Sequence, residues 1–178
     1  LAPGRSRIVN AAVEPEILDT VAFLQSMGAR IELRRTRTFQ VEGVRRLTGA
    51  RHRVLGDRTE AASFAFAAAA TGGHVAVAGI EAPRLRPLCR LFAALGGQCR
   101  ITREGILFTS PARVRPIAVE SAPYPGLSTD WMPPLLVAMT QACGRSTIHE
   151  SVFENRLGYA EMLRATGARL AISDGCPE

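Results

Sequence analysis

Asp130 is a carboxylate set on a sharp turn, a position from which a side chain could take a proton. It follows the bent stretch Pro123-Tyr124-Pro125-Gly126-Leu127-Ser128-Thr129 and precedes Trp131 and an apolar run at residues 135–139. A turn whose backbone is fixed by proline and glycine, set at the mouth of a helix, is where reactive side chains are often presented. Composition alone offers a plainer role, because Asp and Thr also cap helix starts. Pro133 and Pro134 bear on the choice. Proline is tolerated only in the first turn of a helix. The regular helix should therefore begin at Met132 or Pro133, leaving Asp130 on the turn that leads in. The second candidate is Arg156, in Phe153-Glu154-Asn155-Arg156. Its planar guanidinium can grip a carboxylate or phosphate. A local ion pair with Glu154 or Glu161 is the structural alternative. On the residues alone, capping is the favoured role for Asp130 and a local ion pair for Arg156; a general base and an anion-binding partner are the chemical alternatives.

Other charged clusters read as structural. Asp57-Arg58-Thr59-Glu60 opens a helix, with Thr59 as its expected cap and Asp57 free to pair with Arg58, although an Arg at such a junction can also meet a phosphate. Glu14-Pro15-Glu16 suits helix initiation: Pro fits the first turn and the acids favour the positive end of the helix dipole. Arg34-Arg35-Thr36-Arg37 reads as a solvated hairpin turn. A nucleic-acid surface would want base readers nearby, and only Phe39 is close.

The elements that must carry these residues recur. A strand at residues 7–10 leads to a helix with Ile17, Val21 and Leu24 at helical spacing, which Gly28 ends. Strands at 29–33 and 38–41 follow. The layout returns with a strand at 74–78, an amphipathic helix opened by Pro83 and ended by Gly96-Gly97, and strands at 98–102 and 106–109. It returns again with a strand at 146–150, a helix at about 155–165, Gly167, and a strand at 168–172. Gly4, Gly73 and Gly144 stand about 70 residues apart, the spacing of an internal repeat. Residues 61–71 and 135–142 are extra helices, apolar on every side and therefore buried. Leu1-Ala2-Pro3-Gly4 falls where such a helix would end, so the chain is expected to be a piece of a longer protein. The arginine-rich segment 44–53 reads as a link, with a domain boundary near Gly56: residues 1–55 belong to one domain and 56–178 to another.

Bulk properties narrow the function. The net charge is +6, with all 22 basic residues arginine, which favours anionic ligands such as nucleotides and phosphates. Cys89, Cys99, Cys143 and Cys176 show no metal-ligand spacing, and His52, His74 and His149 are scattered. No metal site or cofactor is expected, and the thiols are expected to be reduced, in the cytoplasm. No apolar run approaches the length of a membrane span.

Four stretches together resemble the enolpyruvyl transferase family: Asn10-Ala11-Ala12-Val13-Glu14-Pro15-Glu16-Ile17, Asp57-Arg58-Thr59-Glu60-Ala61, Pro123-Tyr124-Pro125-Gly126 with Thr129-Asp130, and Val152-Phe153-Glu154-Asn155-Arg156. They lie in the family's order over nearly the whole chain. The resemblance implies an α/β fold, an inside-out barrel of repeated βαβαββ units with buried helices. It implies two such domains, 1–55 being the last part of the first and 56–178 the first part of the second. The implied chemistry is enolpyruvyl transfer from phosphoenolpyruvate to a sugar hydroxyl of a uridine nucleotide, by default UDP-N-acetylglucosamine, for peptidoglycan synthesis. Asp130 corresponds to the family's base. Arg156 is assigned to anion stabilisation, and Val152 and Thr129, with Asp130, to substrate binding. The family's lysine and arginine contacts to phosphoenolpyruvate and its cysteine-bearing loop match nothing in this chain, which is expected to be inactive alone. Trp131-Met132-Pro133-Pro134 departs from the Gln-containing segment usual in the cell-wall enzymes, and Leu157-Gly158-Tyr159, after Phe153-Glu154-Asn155-Arg156, departs as well. Those departures open an alternative acceptor such as UMP, as in nucleoside-antibiotic pathways. A reading of another class is a non-catalytic nucleotide- or nucleic-acid-binding module.

Overall fold

The structure is a computed structural model, which describes residues 1–35 and 37–172. The chain divides into two compact units, Leu1–Leu55 and Gly56–Glu178.

The first unit holds β1 (Arg5–Ile8), α1 (Pro15–Ser26), β2 (Arg30–Arg34) and β3 (Thr38–Glu42). β3 lies between β1 and β2 and is antiparallel to both. The first strand ends at Ile8, before the expected Asn10, because Asn10 turns into the left-handed region with φ 53°. The hairpin turn between β2 and β3 is present. Arg37 within it is not a solvated charge, since its Nε donates to the carbonyl of Ala11 at 3.0 Å. Thr36 lies outside the described residues. His52 is committed locally too, with Nε2 2.9 Å from Asp19 Oδ1.

The second unit opens with α2 (Arg58–Thr71), followed by β4 (His74–Ala78), α3 (Arg86–Ala94), β5 (Gln98–Ile101) and β6 (Gly105–Thr109). A 3₁₀ turn, Ala82–Leu85, leads into α3. β6 lies between β4 and β5, again antiparallel to both. The strand order of the first unit is thus repeated, as the glycine spacing suggests. β7 (Ala118–Glu120), α4 (Met132–Met139), β8 (Thr147–His149) and α5 (Tyr159–Arg164) complete the second unit. β7 and β8 pair in parallel, which requires a crossover between them, and α4 lies in that crossover.

The three-fold repeat leaves a common mark at the ends of α1, α3 and α5. Gly28, Gly96 and Gly167 have φ 97°, 94° and 91°, a region disfavoured for residues with a Cβ. In each case the following N–H reaches back to the last turn: Ala29 to Leu24 O at 2.9 Å, Gly97 to Phe92 O at 3.0 Å, and Ala168 to Leu163 O at 3.4 Å. This is the Schellman arrangement, which satisfies helix carbonyls that would otherwise lack donors.

The core of the second unit forms around α2. Ala61, Ala62, Ala65, Phe66 and Ala69 meet Met132, Leu135, Ala138 and Met139 of α4, and Leu88 and Phe92 of α3. Alanines on α2 let the neighbouring helices approach closely while keeping high helix propensity. Phe92 and Phe108 pack edge-on, with centroids 5.2 Å apart.

Several sequence expectations change here. α2 and α4 are not apolar-buried on every side: Phe64 is 53% and Val137 40% exposed. Asp57, not Thr59, caps α2, accepting from the N–H groups of Thr59 and Glu60 at 2.7 and 3.2 Å. β7 was not expected; its 3 residues are too few for an alternating pattern, and a distant strand, β8, creates it. Residues 168–172 form no strand; no other described strand pairs with them to satisfy an extended backbone.

Candidate active site

The site is built where β7 and β8 end. Their parallel register sets Glu120 against His149, so the next residues, Ser121 and Glu150, emerge side by side. Ser121 N–H donates to the carbonyl of His149 at 2.9 Å. Glu150 then gathers two loops. Its Oε1 accepts from Ser121 Oγ at 2.6 Å, from Val152 N–H at 2.8 Å and from Phe153 N–H at 3.1 Å. Its Oε2 accepts from Thr129 Oγ1 at 2.5 Å. Ser121 Oγ in turn accepts from Ser151 N–H at 2.8 Å.

Burial works against the charged form of Glu150, but the hydrogen bonds from Ser121, Thr129, Val152 and Phe153 outweigh it and hold the carboxyl below its ordinary range. The result is a fixed carboxylate that ties the turn carrying Asp130 to the segment carrying Arg156.

Asp130 sits on a 3₁₀ turn, Thr129–Trp131, closed by Trp131 N–H donating to Ser128 O at 3.0 Å. α4 begins at Met132, so Pro133 and Pro134 fall in its first turn, where a missing N–H costs no intrahelical bond. Asp130 is on the lead-in and makes no capping bond there. It points outward, its side chain 56% exposed, and its Oδ1 accepts a short hydrogen bond from Arg156 Nη2. The sequence alternative for Arg156, a pair with Glu154 or Glu161, does not form among the described residues. Glu161 pairs with Arg164, at 2.9 Å. The Arg156 guanidinium also lies 4.9 Å from the Phe153 ring centroid, a cation–π contact that restricts its swing. An exposed ion pair contributes about 0–1 kcal/mol to stability. The value of this one is direction: a carboxylate and a cation presented together at the surface of a fixed turn.

The structure also places the two other predicted binding residues. Thr129 is buried, with its hydroxyl given to Glu150, so it holds the turn in place. Val152 is 37% exposed and its N–H is taken by Glu150. Trp131 and Met132 are each 1% exposed. The departure at residues 131–134 thus lies largely in the core, not on an open acceptor surface as the sequence suggested.

Three contributors were not evident from sequence. Glu150 closes a predicted strand and sits beside no recognisable motif. Arg58 was set down as chiefly structural. Its role is structural, but through distant partners: it is a buried cation whose guanidinium lies 5.6 Å from the Tyr124 ring and 5.5 Å from the Trp131 ring. Tyr159 is held neutral to higher pH by burial and by the charge of Glu150, with Arg156 opposing. Among the described residues no group of three or more His, Cys, Asp or Glu could hold a metal ion. No helix there is long and apolar enough to cross a membrane.

With this geometry in hand, relatives become informative. Residues 1–177 match the family EPSP synthase (3-phosphoshikimate 1-carboxyvinyltransferase). The chain belongs to this family. Similar proteins within it include the UDP-N-acetylglucosamine 1-carboxyvinyltransferase of Azorhizobium caulinodans, 44% identical over 96% of this chain and 40% of that protein. The enzyme of the same name from Methylocella silvestris is 42% identical over 97% of this chain and 40% of its own length. The chain therefore spans about two-fifths of the curated relatives it matches. Among solved structures, the enolpyruvyl transferase NikO from Streptomyces tendae superposes with a TM-score of 0.78 at 24% identity, covering 97% of this chain and 42% of that one. That likeness assigns the fold.

Proposed function

We propose that this chain is part of an enzyme that transfers the enolpyruvyl group of phosphoenolpyruvate to a sugar hydroxyl of UDP-N-acetylglucosamine, for peptidoglycan precursor synthesis. The observation that carries the reading is the Asp130–Arg156 pair, held by Glu150 on the exposed end of two parallel strands. The names of relatives at 42–44% identity supply the acceptor.

In this reaction the sugar hydroxyl adds across the C2=C3 bond of phosphoenolpyruvate, its oxygen to C2 while C3 takes up a proton; the tetrahedral intermediate then loses a proton from C3 and phosphate from C2, which restores the double bond. The hydroxyl must lose its proton as the C–O bond forms. Asp130 is the base: outward-facing, on a turn that cannot drift, within reach of a hydroxyl laid across it. Arg156 releases the carboxylate to the incoming hydroxyl and turns its fork to the developing negative charge of the substrate. Val152, whose N–H is spent on Glu150, contributes its carbonyl to the sugar nucleotide. Thr129 acts through the turn.

We further assign residues 1–55 to the end of one enolpyruvyl transferase domain and 56–178 to the start of a second, each domain an inside-out barrel of repeated units, with α2 and α4 among the inner helices of the second. The remaining phosphoenolpyruvate contacts then come from outside this chain. UMP is the less favoured acceptor, because the relatives at 42–44% identity are named for the other one; of the residues whose divergence suggested it, Trp131 and Met132 are buried, whereas Leu157, Gly158 and Tyr159 are not.

Phosphate release from phosphoenolpyruvate by the full-length protein tests this reading, with UDP-N-acetylglucosamine and UMP offered separately. Release with UDP-N-acetylglucosamine and little with UMP is expected. Release with UMP alone would move the assignment to the other acceptor, and release with neither would overturn the transfer reaction.

A further inference from the structure

A cavity of about 480 Å³ opens between α3 and the bend at residues 123–127. Arg86 and Arg90 line it from α3, one turn apart and so on the same helix face. Both are exposed, and neither joins an ion pair among the described residues. α3 carries no acidic residue, so the repulsion of its two cations is not relieved within the helix. Across from them are Tyr124 and Trp131. Trp131 is 1% exposed and backs the lining from the core. Glu120 is the one acid on the lining, leaving it net positive, and Leu127 is among its apolar residues.

We propose that this cavity binds a small anion carrying one apolar ring, an aryl phosphate or aryl carboxylate. Arg86 and Arg90 take the charged oxygens by charge-assisted hydrogen bonds. The ring lies against Tyr124 and Leu127. The aromatic walls are already set before binding, because the buried Arg58 guanidinium holds the Tyr124 and Trp131 rings. Trp131 is the chain neighbour of Asp130, so an occupant there bears on the turn that presents the carboxylate. The site itself does not depend on the transfer reaction, and its test reads binding alone.

Calorimetric titration of the full-length protein with phenyl phosphate, beside phenol and inorganic phosphate, is the experiment. Phenyl phosphate should bind saturably, and more tightly than either of its halves. The Arg86→Ala/Arg90→Ala double variant should lose about tenfold or more in affinity with its melting temperature unchanged. Arg156→Ala should bind phenyl phosphate as the parent does. Absence of saturable binding, equal binding by inorganic phosphate, an unaffected double variant, or loss of binding in Arg156→Ala would each overturn the proposal.

Discussion

Glu150 does more for the candidate site than any residue that would touch a substrate. One carboxylate accepts from two hydroxyls and two backbone N–H groups, and these belong to the segments carrying Asp130 and Arg156. Removing it strands those donors, so Glu150→Ala should lower stability by about 2 kcal/mol, read from urea unfolding midpoints. The pH dependence follows from the direction of its shift. A carboxyl held below its ordinary value of 4.5 contributes stability that is complete above that value and is lost as pH falls through the lowered one. The stability gap between the parent and Glu150→Gln should therefore be open at neutral pH and close as the medium is acidified below that range. A gap independent of pH would show that the carboxylate charge contributes nothing. Sequence reasoning reached Asp130's position on the lead-in turn because Pro133 and Pro134 restrict where a helix can start. It did not reach Arg156's partner. The pair spans 26 residues and exists only because β7 and β8 bring their ends together. Glu150 was hidden for the same reason: its four donors come from three separate segments.

At the scale of elements, glycine punctuation and apolar spacing located most strands and helices, and the repeated strand order confirms what that punctuation implied. What escaped was structure that depends on distant partners. β7 is too short to announce itself, and residues 168–172 have the composition of a strand without a described neighbour to pair with. Helix capping escaped too, since both Asp57 and Thr59 are good caps and only the backbone decides between them. Asp57→Ala should cost about 1 kcal/mol, visible as a lower melting temperature, while Thr59→Ala should cost less. The turn after α3 offers a sharper test. A Cβ on Gly97 would lie 2.2 Å from Phe92 Cε1, in the middle of the core. Gly97→Ala should therefore destabilise by about 1–3 kcal/mol through displacement of that ring, and the loss should show in thermal unfolding.

At the scale of the whole molecule, the excess of arginine and the +6 charge suit an enzyme whose proposed substrates are both anions, and oppose nothing in the family assignment. The family could be read from four short stretches, because their order along the chain is preserved even where their neighbours diverge. The acceptor could not be read in the same way, since of the divergent residues Trp131 and Met132 face the core while Leu157, Gly158 and Tyr159 do not. The account rests finally on Asp130 as the base. Phosphate release from phosphoenolpyruvate should be measured for the full-length protein and its Asp130→Asn variant with UDP-N-acetylglucosamine, alongside calorimetric binding of the nucleotide. The amide keeps the shape of the side chain and loses the base. Turnover should fall about 10²-fold or more, with nucleotide affinity changed only slightly. Near-parental turnover in Asp130→Asn would contradict the account.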